Sequence, residues 1–257
     1  MATYNKRGYK PEKPQVEKEE NVHQAVLNDT SDTAEVFNSL DTTANKVGTW
    51  FTLNQSKIFY AIGGLALLAV GYLGYQNFIV EPKEEEAANE MFQAQQFYDQ
   101  ALNGQASDSL FNLALKGGEG KMGFLSITEK YSGTDAANLA HYYAGTAYLN
   151  MGKNKEAIKH LEQFNSKDMF LKAMSLGAIG DAFADLNQPQ DAFEFYKKAS
   201  EHAPNDFSTP RYAYKAGLMA LELGKKEEAL KLFTLIKDNY KGSMEATNID
   251  VYLGMAQ

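Results

Sequence analysis

From residue 58 to residue 80 the chain reads IFYAIGGLALLAVGYLGYQNFIV, without one charged side chain. A hydrocarbon core of roughly 30 Å is crossed by about 20 consecutive apolar residues in a helix. A soluble helix of that length would carry a polar face, and this segment has none before Gln76. A cleavable leader does not fit, because the run begins more than fifty residues in and exceeds the usual apolar length of a leader. Residues 54–80 are therefore expected to form an uncleaved transmembrane signal anchor. Trp50, Tyr60, Tyr72 and Tyr75 supply interfacial aromatics, and Glu81 and Pro82 end the apolar run. Lys46 and Lys57 precede the span, whereas Lys83 follows it among Glu81, Glu84, Glu85 and Glu86, a bias that places the N-terminus in the cytoplasm. Gly63, Gly64, Gly71 and Gly74 leave thin faces where another membrane helix could approach, although no G-x-x-x-G is present.

Upstream of the span, residues 1–29 are polar, carry Pro11 and Pro14 and lack helical apolar spacing, which reads as a disordered tail. The pattern changes at Asp32. Asp32 with Glu35 forms a capping signal, and Phe37, Leu40, Ala44, Val47 and Phe51 recur at three- and four-residue steps. An amphipathic juxtamembrane helix over residues 30–53 is expected, lying in the lipid interface, docked on a partner or poorly ordered.

Chemistry has little to work with. The net charge is −8, and no cluster of Lys and Arg is present to hold phosphates, so nucleic acid is not expected as a partner. There is no cysteine, which removes thiol catalysis, disulfides and Cys-based zinc sites. His23, His141, His160 and His202 stand in no metal-binding spacing, and no Ser sits in a G-x-S-x-G elbow. Residues 117–121, GGEGK, lack phosphate-loop spacing and a preceding strand, and read as a flexible helix connection. Neither an enzyme nor a cofactor is expected.

Residues 81–257 begin with a helix over about 84–102, turn at Asn103-Gly104 and again through residues 117–123, and read as helical for the rest. Three blocks align internally. The first runs Ala144, Gly145, Tyr148, Gly152, Ala157, Leu161, Phe164; the second Gly180, Phe183, Asn187, Ala192, Tyr196, Ala199, Pro204; the third Gly217, Ala220, Gly224, Ala229, Phe233, Ile236. The steps from Gly145 to Gly180 to Gly217 bracket the 34-residue tetratricopeptide period. Small residues let paired helices approach, large ones fill the gaps, and Gly152, Asn187 and Gly224 occupy turns that need a left-handed residue. The fold class is thus all-α: one N-terminal membrane helix, then a tetratricopeptide-repeat solenoid. Its repeats fall at about 138–171, 173–206 and 210–243, and residues 244–257, with Ile249, Tyr252 and Leu253, cap the open end.

First-helix residues Tyr142, Thr146, Leu149, Met174, Asp181, Asp185, Arg211, Tyr214 and Leu218 are expected to line a groove for an extended or helical peptide. For Tyr142, Met174 and Tyr214, simple packing between helices is an equal reading. The positions at which the repeat family clamps a C-terminal carboxylate hold Tyr142, Thr146, Gly177 and Asp181, which argues against binding of chaperone tails.

The order of parts resembles the YfgM-type tetratricopeptide family of bacterial inner membranes. The resemblance covers about residues 54–257. It rests on the signal anchor, the charged junction at residues 84–90, the lead-in Gly133-Thr134-x4-Leu139-Ala140-x-Tyr142-Tyr143-Ala144-Gly145, and a C-terminus ending on the capping helix. It implies a non-catalytic ancillary subunit of the Sec translocon with a periplasmic repeat domain. The implied partners are the channel subunits, the periplasmic folding factor PpiD, exported polypeptides and the lipid bilayer. A general envelope-assembly scaffold and a membrane-anchored stress regulator, in which the tail and juxtamembrane helix bind a soluble regulator, remain alternatives.

Overall fold

The computed structural model describes residues 32–104, 108–118 and 120–257. The expected tail and the Asp32–Glu35 capping pair lie outside the described residues and side chains. The described residues fall into two compact units, divided between Tyr72 and Leu73.

The described part of the first unit is helical throughout and makes up most of α1 (Asp32–Tyr75), which covers both the juxtamembrane segment and most of the apolar run, with no break where the sequence reading changed element near residue 54. Polarity at Asn54, Gln55, Ser56 and Lys57 changes what the helix faces without ending it. The Ser and Thr residues here, ordinarily weak in helix interiors, turn their hydroxyls back onto the preceding turn. Thr43 donates to the Ser39 carbonyl at 2.6 Å and Thr49 to that of Asn45 at 2.7 Å. The helix is long and apolar enough to cross a membrane, with a window of mean hydropathy 1.7, none of it buried.

In the second unit the helical backbone does not stop at Pro82. A π turn, Gln76–Val80, lies just before it, and the Glu81 N–H reaches the Gln76 carbonyl five residues back. A proline ring crowds the carbonyl four residues before it, and the widened turn lets the helix pass. α2 therefore spans Glu81–Asn103, starting earlier than the sequence indicated. It buries Ala87, Met91, Ala94, Tyr98 and Ala101 against α3 (Asp108–Lys116), α4 (Phe124–Lys130) and α5 (Asp135–Asn150). Between α3 and α4 the connection closes as a two-residue antiparallel ladder, β1 (Gly117–Gly118) with β2 (Lys121–Met122), where the sequence indicated a flexible helix connection. Gly117 makes this possible: it sits at φ 87°, and a Cβ there would lie 2.2 Å from the Lys121 carbonyl oxygen.

Three helical hairpins follow: α5 with α6 (Asn154–Gln163), α7 (Met169–Asp185) with α8 (Pro189–Glu201), and α9 (Ser208–Glu222) with α10 (Lys226–Asn239). Each turns through a left-handed residue, Gly152 at φ 69°, Asn187 at 55° and Gly224 at 70°. The repeat arithmetic is visible in the packing. Gly145, Gly180 and Gly217 face the buried Leu161, Tyr196 and Phe233 of their partner helices, and Ala157, Ala192 and Ala229 are fully buried. A 3-10 turn (Met244–Asn248) and α11 (Ile249–Ala256) close the stack, Tyr252 standing edge-on to Tyr214 at 5.0 Å.

Candidate functional site

The expected groove residues divide into those committed to the fold and those left free. Thr146 receives the Tyr98 hydroxyl of α2 at 2.9 Å, so it seals the first layer of the stack. Tyr142 packs on Phe164 at 5.2 Å between ring centres. Met174 accepts the Tyr212 hydroxyl at 3.3 Å, and the Tyr212 ring fills the space that a Cβ on Gly177 would need. Asp181 takes the Tyr196 hydroxyl at 2.6 Å and pairs with Lys215, tying the second hairpin to the third. Tyr214 is held between Phe233 and Tyr252. For Tyr142, Met174 and Tyr214, then, the packing reading describes what is seen. Leu149 and Leu218 are half-buried, while Asp185 and Arg211 are exposed and in no ion pair among the described residues.

Burial governs the ionisation of this aromatic spine. It pushes Tyr212 up to about 12. Tyr214 also rises to about 12 through burial, with its Tyr252 neighbour adding to the effect. Tyr196 is raised further still, by burial first and then by its bond to Asp181. All three are uncharged at any physiological pH, and Tyr196 and Tyr212 act as donors.

Two clefts bring free surface together. Arg211, Tyr214 and Leu218 converge with Met244, Glu245 and Asn248 on a cleft of about 410 Å³ between α9 and the C-terminal turn. A larger one, about 800 Å³, opens between the Ser132, Gly133 and Thr134 turn and the connection from α6 to α7 around Asn165 and Asp168. The sequence reading missed it. Its only trace there is the long polar connection after Phe164, which Asn138 stitches down by accepting from the Asn165 N–H at 2.9 Å and donating to the Asn165 carbonyl at 2.6 Å. His141 lines this cleft and meets His160, Nδ1 to Nδ1, at 3.1 Å. Burial and the facing His141 hold His160 down at about 4. Among the described residues no group of three or more His, Asp or Glu is placed to hold a metal.

The acidic junction also has work that its sequence did not reveal. Glu84 accepts the Asp135 and Ala136 N–H groups, both at 2.7 Å, and so caps the start of α5 from a distant helix, beside the Thr134 side-chain cap on Ala137. Glu86 binds the Tyr131 hydroxyl at 2.8 Å and Lys130 at 3.2 Å, contacts that hold its carboxyl below the usual range, the hydroxyl foremost.

Residues 139–168 and 212–243 match the tetratricopeptide repeat family. These segments cover the first and third hairpins; the second shares their small-to-large contacts and their left-handed turn. The chain carries tetratricopeptide repeats. No curated protein and no solved structure matches it. Tetratricopeptide repeats typically serve as non-catalytic protein-interaction scaffolds, stacking helical hairpins into an extended surface.

Proposed function

We propose that the protein is a membrane-anchored scaffold that binds other polypeptides along its repeat stack, and that it serves as an ancillary subunit of the Sec translocon. The observation that carries the binding reading is the pair of open clefts on a three-repeat stack whose interior is fully committed to packing. In this reading the uncharged run of α1 crosses a bacterial inner membrane, the N-terminus is cytoplasmic and the repeats are periplasmic. Channel subunits contact the span, and the repeats handle exported chains together with PpiD. Support for the export role comes from the order of parts, which resembles the YfgM-type family.

Arg211 and Asp185, exposed on the first helices of their repeats, are the groove residues best placed to meet a partner. Photoreactive residues at Leu67 in the span and Arg211 at the cleft, followed by identification of adducts from intact membranes, test the proposal. Channel subunits from the first probe with exported chains or PpiD from the second support it. Adducts with unrelated envelope machinery alone leave the general scaffold, and deletion of residues 1–53 with total loss of function points to the regulatory anchor.

A further inference from the structure

We propose that residues 37–72 of α1 form a parallel, in-register coiled coil with a second copy of this chain. Phe37, Leu40, Ala44, Val47 and Phe51 alternate by three and four residues, the seven-residue repeat of a helix-to-helix seam. Because α1 is one uninterrupted helix, the alternation carries across residue 54 without losing phase: Ile58, Leu65, Leu68 and Tyr72 fall on the same line. The charged residues of this stretch, Asp41, Lys46 and Lys57, all fall off it.

The stripe lies open along its length. Phe37 is 68% exposed, Leu40 60% and Val47 59%, and Trp50 beside them is 60% exposed. A contiguous apolar stripe of that kind calls for a partner. Lipid cannot supply it at the Phe37 end while α1 stays whole. At 1.5 Å per residue, Phe37 stands roughly 30 Å along the axis from Ile58, so a helix that crosses the bilayer carries its stripe away from the surface. A second copy can. Copies anchored in one membrane share an orientation, so a parallel seam matches each residue with itself. Phe37, Phe51 and Trp50, with Leu40, Ala44 and Val47, would bury about 1,500 Å² between two copies, within the range of stable interfaces.

Two further details fit. Asn54 is the one polar residue on the seam outside the membrane run, its Nδ2 now bonded to the Trp50 carbonyl at 2.9 Å. An Asn facing its own copy within an apolar seam fixes register. The same phase sorts the span glycines: Gly64 and Gly71, seven residues apart, border the seam, whereas Gly63 and Gly74 fall on the outer side.

The half of the seam before residue 54 stands on the helix alone; its continuation through residue 72 and its parallel sense rest on the anchoring reading. The chain has no cysteine, so single substitutions report cleanly. In the full chain in isolated membranes, Leu40→Cys, Val47→Cys and Leu68→Cys should form oxidant-driven disulfide dimers at least about ten-fold more than Thr42→Cys and Thr49→Cys on the opposite face. Equal yields on both faces, no dimer at the seam, or a disulfide product that is not twice the chain mass would each overturn the coiled coil. As a second reading, light scattering of the purified full chain in detergent should give a dimer that Val47→Lys dissociates and Thr49→Lys leaves intact. Alkaline extraction separates the two proposals. Release of the chain with its periodic crosslinks intact refutes the anchor and keeps the seam; retention without periodic crosslinks keeps the anchor and refutes the seam.

Discussion

Gly217→Ala adds one methyl group to α9, and the structure says where it lands. An ideal Cβ would sit 2.4 Å from Cε1 of Phe233 and 2.6 Å from Cζ, both well inside contact distance. Phe233 is fully buried, with the Tyr214 and Tyr252 rings beside it, so its ring is closely hemmed in. Helix propensity alone favours Ala over Gly by about 1 kcal/mol. Overpacking of a filled core costs about 1–3 kcal/mol, more where the neighbour cannot yield. With a neighbour that cannot yield the clash should win, leaving the variant less stable by up to about 2 kcal/mol. Gly254→Ala in α11 is the control: nothing lies within 4 Å of its Cβ, so only the propensity gain of up to about 1 kcal/mol should remain. Thermal unfolding of the full chain in detergent, followed by circular dichroism, should shift in opposite directions for the two variants. Phe233→Leu in the Gly217→Ala background should recover part of the loss, since residues in contact are not additive. If Gly217→Ala is neutral or stabilising, the claim that this glycine exists to admit Phe233 is wrong.

Three more outcomes follow from the geometry. Asn187, at φ 55°, should tolerate Gly within a few tenths of a kcal/mol, whereas Asn187→Val should cost about 1–2 kcal/mol in the same melting assay, because a branched side chain resists the left-handed turn. Glu84→Gln should cost about 1 kcal/mol and speed hydrogen exchange at the Asp135 and Ala136 amides before any others, by weakening two charge-assisted bonds at the start of α5. For His160 the folded value, about 4, lies below the ordinary 6.5, so its contribution is fully present above pH 6.5 and is lost as the pH falls toward 4. A shift of that size is worth about 3 kcal/mol in full and about 1–2 kcal/mol for a ring still partly open to water. His160→Phe should flatten the pH dependence of melting between those limits.

What could be read from the sequence was local. Gly145, Gly180 and Gly217 recur with Leu161, Tyr196 and Phe233 sixteen residues on, so both halves of each contact lie inside one repeat and the period exposes them. Thr146 and Asp181 were placed on the inner side of the stack by register, but register cannot show that Tyr98 and Lys215 arrive from neighbouring layers to occupy them. The Glu84 cap was hidden for the same reason, since it joins α2 to α5; the His141 and His160 contact lies inside the first repeat but recurs in no other, so the period does not expose it. The continuity of α1 was hidden by a different confusion. A run of polar residues at 54–57 marks a change of surroundings, and surroundings are not what ends a helix.

The Glu84 cap has a consequence for how the stack is built. Its partners, Asp135 and Ala136, lie 51 and 52 residues later in the chain, so α2 is already synthesised when the first turn of α5 emerges. The carboxylate that α5 needs is in place before α5 exists, and no later residue is required to complete that end. Assembly can then proceed vectorially, each hairpin docking on a finished template as elongation continues. The junction works as a starting block for folding.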